Sequence, residues 1–118
     1  MVKAGEEATT NMIKVVVDRK KWYRGDRGDS MLLLTNGKMC CIGFLARVLK
    51  YKPKDIRTIA TLEDTAQTTI QEQFIGANEG NLGRAYEIND DSTISDSVRE
   101  KELKQIGKKM GVRFIFKN

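Results

Sequence analysis

Histidine is absent from this chain of 118 residues. Its absence excludes Ser-His and Cys-His catalysis, zinc held by histidine and a histidine switch near neutral pH. The two cysteines, Cys40 and Cys41, are adjacent, and neighbouring cysteines rarely bridge because the ring they would close distorts the peptide bond between them. Two thiolates also fall short of the four ligands of a structural zinc site. We therefore expect reduced, buried cysteines and neither a metal nor a cofactor.

Long apolar runs are absent as well. The longest apolar stretch covers roughly a dozen residues around positions 39–49, which is too short to cross a bilayer. The N-terminus has no apolar core segment of the kind that secretion signals carry. Together with the reduced cysteines, these features predict a cytoplasmic protein with no membrane partner.

Charge is unevenly distributed along the chain, whose formal net charge is +5. Residues 12–57 contain 12 Lys or Arg against 4 Asp or Glu, whereas residues 58–118 contain 8 against 10. The strongly basic first half predicts an anionic partner. A chain of 118 residues with 40% hydrophobic residues suits a single globular domain.

In two segments, near the two ends of the domain, apolar residues recur at every second position, and this pattern predicts two strands. The first is Ile13–Asp18, and the second is the terminal segment in which Val112, Phe114 and Phe116 alternate with other residues. We expect these strands to pair, since each alone would leave an apolar row exposed. Residues 1–11 lack apolar periodicity and are expected to form a mobile tail, leaving 12–118 as the single domain.

The stretch Gly37–Lys50 is predicted to be the central buried helix. Asn36-Gly37 between apolar runs is also a strong hairpin signal, so residues 31–42 could form either a hairpin or the start of the helix. We favour a helix from about Met39, ended by Pro53. Its predicted exposed face is a single stripe at helical spacing: Gly43, Arg47, Lys50 and Lys54.

The part of the sequence from residue 65 onward predicts two further helices. Residues 65–74 are expected to form a short helix, followed by a glycine-containing loop over 76–83 and a turn over 89–93. Ser95 or Ser97 is expected to cap a C-terminal helix that ends before Gly111. The expected fold is a small α+β domain, with the central and C-terminal helices packed on a short sheet that includes the first and last strands.

A basic segment next to the first strand, Arg19–Arg27, is the leading candidate for a binding site. Cations interleaved with aromatic rings can hold phosphates and stack bases. Alternatively, the single tryptophan, Trp22, anchors this segment on the core. Arg47, from the exposed stripe of the predicted helix, is added to this segment. The candidate partner-binding residues are therefore Arg19, Lys20, Lys21, Trp22, Tyr23, Arg24, Arg27 and Arg47.

Two weaker candidates for chemistry remain. Glu87, Asp90 and Asp91 could bind a hard cation for metal-assisted hydrolysis, although the spacing of an EF-hand loop is missing. Lys38 and a helix N-terminus could lower the pKa of the neighbouring thiols. We interpret the acidic residues as a turn and the cysteines as core residues.

Several blocks of the sequence resemble a family of small uncharacterised bacteriophage and prophage proteins. The pattern is Trp22-Tyr23-Arg24-Gly25, then Gly37-Lys38-Met39-Cys40-Cys41-Ile42-Gly43-Phe44, then Asn89-Asp90, within a likeness that runs from about residue 12 to residue 116. The resemblance implies a phage-encoded accessory protein in the host cytoplasm. It implies no particular activity, fold or catalytic residue.

Taken together, these features predict a non-enzymatic protein that binds an acidic host protein or a nucleotide signal and thereby counters host defence. The alternative is a nucleic-acid-binding module using the segment Arg19–Arg27, and the metal-assisted hydrolase is weaker still. An all-round apolar helix in so small a domain also suggests cover by a second copy, so we expect a homodimer.

Overall fold

The computed structural model describes residues 12–25, 31–62 and 68–118. The predicted tail over residues 1–11 and the candidate Arg27 lie outside this part of the chain. The elements found within it, in chain order, are β1 (Ile13–Asp18), α1 (Cys41–Val48), α2 (Pro53–Ile56), α3 (Thr69–Asp90), α4 (Asp96–Lys109) and β2 (Val112–Lys117).

The first and last strands pair with each other, as predicted. They run parallel, with Ile13 opposite Val112 and Asp18 opposite Lys117. A parallel pair needs a long crossover connection, and here that connection carries all the helices described above. The strand residues that face these helices are buried: Val15, Val17, Val112, Phe114 and Phe116. The α+β prediction is confirmed, with helices packed against one face of a small sheet.

Helix α1 is the central buried helix, and it begins at Cys41, two residues later than expected. Every residue from Cys41 to Ala46 is buried. Gly43 was predicted to be exposed, and this is wrong because the chain at Leu32 lies directly against it. A Cβ atom on Gly43 would overlap the Leu32 carbonyl. Other parts of this chain cover Cys41–Ala46, whereas Val48 at the end of α1 is 41% exposed, and the expected homodimer stays a prediction.

The Asn36-Gly37 signal is a tight turn ahead of α1. The Leu34 amide donates to the Lys38 carbonyl at 2.8 Å, and Gly37 has a φ of +88°, which favours glycine. The hairpin does not continue, because Cys41 and the residues after it are helical. The turn therefore directs the chain into the helix, in agreement with the interpretation we favoured.

Helix α3 overturns the predicted short helix and glycine-containing loop. It runs for 22 residues through positions 76–83 and is kinked at Asn78, whose φ of −126° and ψ of 17° are non-helical. The Asn78 side chain donates to the Phe74 carbonyl at 2.9 Å. Apolar residues at helical spacing form its inner face and outweigh the low helix propensity of glycine: Ile75, Leu82, Ala85 and Ile88.

Helix α4 begins and ends as two local signals indicate. The Ser95 hydroxyl accepts a hydrogen bond from the Val98 amide at 3.2 Å, so Ser95 rather than Ser97 is the cap. Gly111, just beyond the helix, has a φ of +73°. Helix α4 then lies against β2, with the Gly107 backbone close to the Phe114 ring.

Candidate anion-binding site

Trp22 packs into the core of the domain. Its side chain is 3% exposed, and its ring centroid lies 4.9 Å from that of Phe116 in β2. The indole Nε1–H donates to the side-chain oxygen of Asn89 at 2.8 Å. These contacts agree with the alternative interpretation, in which Trp22 anchors the basic segment, and they leave no open ring face on which a base could stack.

Asn89 is the polar centre of this region and is fully buried. Its Oδ1 atom also accepts from the Cys41 amide at 3.0 Å, at the start of α1. Its Nδ2 atom donates to the Tyr23 carbonyl and to Asp90 Oδ1, both at 3.0 Å. One side chain therefore joins the basic segment, the start of α1 and the end of α3. Sequence reasoning placed Asn89 in a turn and missed this role.

Two arginines of the basic segment, Arg19 and Arg24, form ion pairs with acidic residues of the same molecule. The Arg19 guanidinium donates two hydrogen bonds of 2.8 Å to the Glu100 carboxylate, and the hydrogen bond from Glu100 raises the pKa of Arg19. Arg24 lies 4.5 Å above the Trp22 ring and donates to Asp96 Oδ2 at 2.9 Å. The Arg24 guanidinium holds the pKa of Asp96 below its usual value. Both cations therefore already have anionic partners.

The remaining candidates divide into two groups. Lys20 and Lys21 are exposed beside the paired arginines, and Tyr23 is half-buried. Arg47 lies in the last turn of α1, where its guanidinium donates to the Tyr51 carbonyl at 2.8 Å. The structure thus brings Arg19, Trp22 and Arg24 into one cluster and uses Arg47 at a helix end.

Arg99 is a buried guanidinium that sequence reasoning missed. It is 3% exposed and donates to carbonyls at the end of α3 and in the following turn. Its acceptors are the carbonyls of Ile88 at 2.9 Å, Asn89 at 3.3 Å, Asp91 at 2.6 Å and Ile94 at 3.0 Å. Arg99 therefore satisfies carbonyls that the end of a helix leaves unpaired. An arginine inside an amphipathic helix gives no sequence signal that separates this role from solvent exposure.

The acidic residues proposed for hydrolysis have local partners. Glu87 pairs with Arg84 at 3.3 Å, and Asp91 Oδ1 accepts from the Thr93 amide at 2.8 Å. Over the described ranges, no group of three or more Cys, Asp or Glu side chains is placed to hold a metal ion. The arrangement is that of a helix end and turn.

The adjacent cysteines, Cys40 and Cys41, are free thiols in the core. Burial raises the pKa of Cys40 to about 12 and raises that of Cys41 well above its usual range. Because the thiolate is the reactive form, neither sulfur is activated as a nucleophile near neutral pH. The effect of burial outweighs any influence of Lys38.

A cleft of about 510 Å³ lies along β2. The residues that line it are Met12, Lys104, Lys108, Arg113, Phe114, Ile115 and Phe116. Lys104 Nζ lies 5.9 Å from the Phe116 ring centroid. Within the described part of the chain, no ion pair involves Lys104, Lys108 or Arg113. The cleft therefore presents three unneutralised cations beside apolar side chains.

Sequence reasoning overlooked this cleft because it divided the charge between two halves of the chain. The second half carries a small net negative charge, yet residues 101–118 contain six Lys or Arg and a single acidic residue, Glu102. A count over this shorter window would have identified the basic region. The shared contact of Trp22 and Lys104 with Phe116 also links the cleft to the basic segment.

Comparison with known proteins reveals no relative. No protein-family model, no curated protein and no solved structure matches this chain. In the described ranges, no helix has the length and apolar character needed to cross a bilayer.

Proposed function

We propose that the protein is a non-enzymatic, phage-type accessory protein that binds an anionic partner, an acidic host protein or a nucleotide signal, in the host cytoplasm and so counters host defence. The observation that supports this proposal is the set of three cations without anionic partners, Lys104, Lys108 and Arg113, along the β2 cleft. The phage part of the proposal rests on the resemblance of the Trp22 and Gly37–Phe44 blocks.

Electrostatics favours the cleft over the basic segment as the binding surface. Lys104 and Lys108 are one turn apart on α4, where like charges repel and cost an isolated helix a few tenths of a kcal/mol. A bound anion relieves this repulsion and gains charge-assisted hydrogen bonds. Arg19 and Arg24, in contrast, would have to leave Glu100 and Asp96 to meet a ligand.

The lining of the cleft supports binding rather than catalysis. Its side chains are lysine, arginine, methionine, isoleucine and phenylalanine, with no carboxylate, thiol or hydroxyl among them. Acid–base catalysis most often uses histidine, which this chain lacks, and covalent catalysis often uses a hydroxyl, thiol or carboxylate. Cations beside apolar surface instead suit recognition of a partner that carries both acidic and apolar groups.

The test is isothermal titration of the full chain with three anionic probes: a glutamate-rich heptapeptide, ATP and a single-stranded DNA 20-mer. We expect binding of the peptide or ATP, weakened about tenfold or more by combining Lys104→Gln, Lys108→Gln and Arg113→Gln. A control combining Lys38→Gln, Lys52→Gln and Lys54→Gln removes the same charge from exposed positions outside both the cleft and the basic segment, and it should change affinity little.

Two results would overturn this proposal. One is the absence of binding by all three probes at low salt. The other is equal loss of affinity in the cleft and control variants, which would mean that only net charge matters. Binding of the DNA alone, with affinity falling steeply as salt rises, would instead support the nucleic-acid alternative. That alternative has less structural support because the Trp22 ring is buried.

A further inference from the structure

Strand β2 has an edge that no strand of the described residues covers. The sheet there consists of two strands, β1 and β2. At its two ends, the Ile13 amide donates to the Gly111 carbonyl at 2.8 Å and the Arg19 amide donates to the Lys117 carbonyl at 2.7 Å. In a parallel pair, alternate residues of one strand direct both backbone groups to the partner. The odd-numbered residues of β2 therefore bond to β1.

The even-numbered residues of β2 direct their backbone groups away from β1. Val112 lies next to α4, since its carbonyl would contact a Cβ atom on Gly107. Phe114 and Phe116 belong to the lining of the cleft and are 2% and 9% exposed, so the cleft reaches the strand at this edge. A strand edge that no other strand pairs with is a template on which another chain can pair.

We propose that the partner is an acidic segment of a protein, which binds in an extended conformation and adds a third strand to the free edge of β2. This inference rests on the proposed function and names the partner of the same cleft. Backbone hydrogen bonds to Phe114 and Phe116 supply part of the affinity, as in other cases of strand addition. The lysines of α4 select acidic side chains.

The spacing of the lysines suits an extended acidic segment. Lys104 and Lys108 are four residues apart on α4, or about 6 Å along a helix axis. Side chains two residues apart on one face of a strand are about 6.6 Å apart. The short turn at Gly111 sends β2 back along α4, so an added strand would lie alongside both lysines. Acidic residues at alternate positions would meet one lysine each.

The other face of the added strand would meet different side chains. On the face of the sheet away from the helices, Ile115 lies opposite Val16, which is 45% exposed. Arg113 lies on that face too, two residues before Ile115. Apolar residues of the added segment would therefore extend the row formed by Val16 and Ile115. The predicted recognition pattern alternates acidic and apolar residues.

A second copy of this chain is a poor occupant of the same edge. Pairing β2 with β2 of another copy would bring Lys104, Lys108 and Arg113 towards the same cations of the partner. Juxtaposed like charges oppose such an interface. A nucleotide or nucleic acid could meet the cations but would make no use of the strand edge. Charge and backbone together favour an acidic peptide segment.

The test uses an acetylated and amidated heptapeptide of alternating glutamate and valine, titrated into the full chain. Two modified peptides carry N-methyl groups either on all glutamate amides or on all valine amides. In an added strand, only one of these two sets of amides faces β2. We expect one modified peptide to lose about tenfold or more in affinity and the other to bind like the parent.

The outcomes separate this inference from the proposed function. Equal binding by both methylated peptides and the parent would overturn strand addition, leaving a charge-based site. Binding of ATP or DNA without binding of the parent peptide would also overturn it. If the chain sediments as a dimer that the peptide does not dissociate, and if Phe114→Pro dissociates it, the edge belongs to a second copy and the inference fails.

Discussion

The indole nitrogen of Trp22 donates a 2.8 Å hydrogen bond to the side-chain oxygen of Asn89 inside the protein core. Trp22 is 3% exposed and Asn89 is fully buried. The two residues are 67 positions apart in the chain. Their contact fixes the basic segment against the end of α3, and the ring contact with Phe116 extends this support to the end of β2. The cleft along β2 therefore rests on this pair.

Replacing Asn89 by Ala should destabilise the fold by about 2–4 kcal/mol, because Trp22 and Cys41 then lose the acceptor of their buried donors. Urea unfolding followed by Trp22 fluorescence measures the change. Asn81→Ala is the matched control on the same helix, since Asn81 is only partly buried, and should change stability by less than about 0.5 kcal/mol. Similar losses in the two variants would contradict the role of Asn89.

Two glycine substitutions should act in opposite directions. Gly43→Ala should cost about 3 kcal/mol or more, because its Cβ would overlap the Leu32 carbonyl. Gly83→Ala, on the kinked helix α3 where the added Cβ meets nothing, should stabilise by about 0.5–1 kcal/mol. Thermal unfolding of both variants checks the sign of each change. A destabilised Gly83→Ala variant would indicate that α3 is not helical there.

Alkaline conditions should destabilise the protein through its cysteines. Burial raises the pKa of Cys40 to about 12, whereas an unfolded thiol titrates near 8.5. The folded state therefore holds the proton more tightly. Each buried thiol contributes stability that is fully present below pH about 8.5 and is lost by up to about 1.4 kcal/mol per pH unit above it.

Urea unfolding at several pH values between 7 and 10.5 measures this dependence, with Cys40→Ala as the comparison. We expect a shallower loss of stability in the variant. Thiol-specific labelling of the native protein at pH 7 should be slow and should become rapid in denaturant. Fast labelling of the native chain, or an unchanged slope in Cys40→Ala, would show that these thiols are not buried.

Arg99 should stabilise the end of α3 more than its surface counterpart Arg84 does. Arg99→Met removes the guanidinium that pairs with several carbonyls and should cost about 3 kcal/mol. Arg84→Met breaks an exposed pair with Glu87 and should cost less than about 1 kcal/mol. Equal effects of the two substitutions on the free energy of unfolding would contradict the capping role.

The parts of the fold that were predictable are those governed by local patterns. Apolar residues at every second position identified both strands. The capping residue Ser95 and the glycine Gly111 identified the two ends of α4. Helix α3 was missed because three exposed glycines weighed more than apolar residues at helical spacing. The Thr68 and Gln71 capping box at its start was a usable signal, since each side chain accepts from the other's backbone amide.

The candidate site was harder to predict because it depends on contacts between distant segments. Nothing near Arg19 or Arg24 in the sequence indicates that Glu100 and Asp96 would pair with them. Similarly, the open edge of β2 follows from a sheet of only two strands within the described residues, and the sequence pattern did not specify the number of strands. The basic composition of residues 101–118 was visible, but its place beside a free strand edge required the fold.

The most direct test of anion binding at the β2 cleft is a ¹H–¹⁵N correlation titration of the full chain with the alternating glutamate–valine heptapeptide. We predict that the largest shifts arise from the amides of Phe114 and Phe116 and from Lys104 and Lys108 on α4. Shifts confined to Lys20, Lys21 and their neighbours would place binding on the basic segment and contradict this account, as would an unchanged spectrum at millimolar peptide.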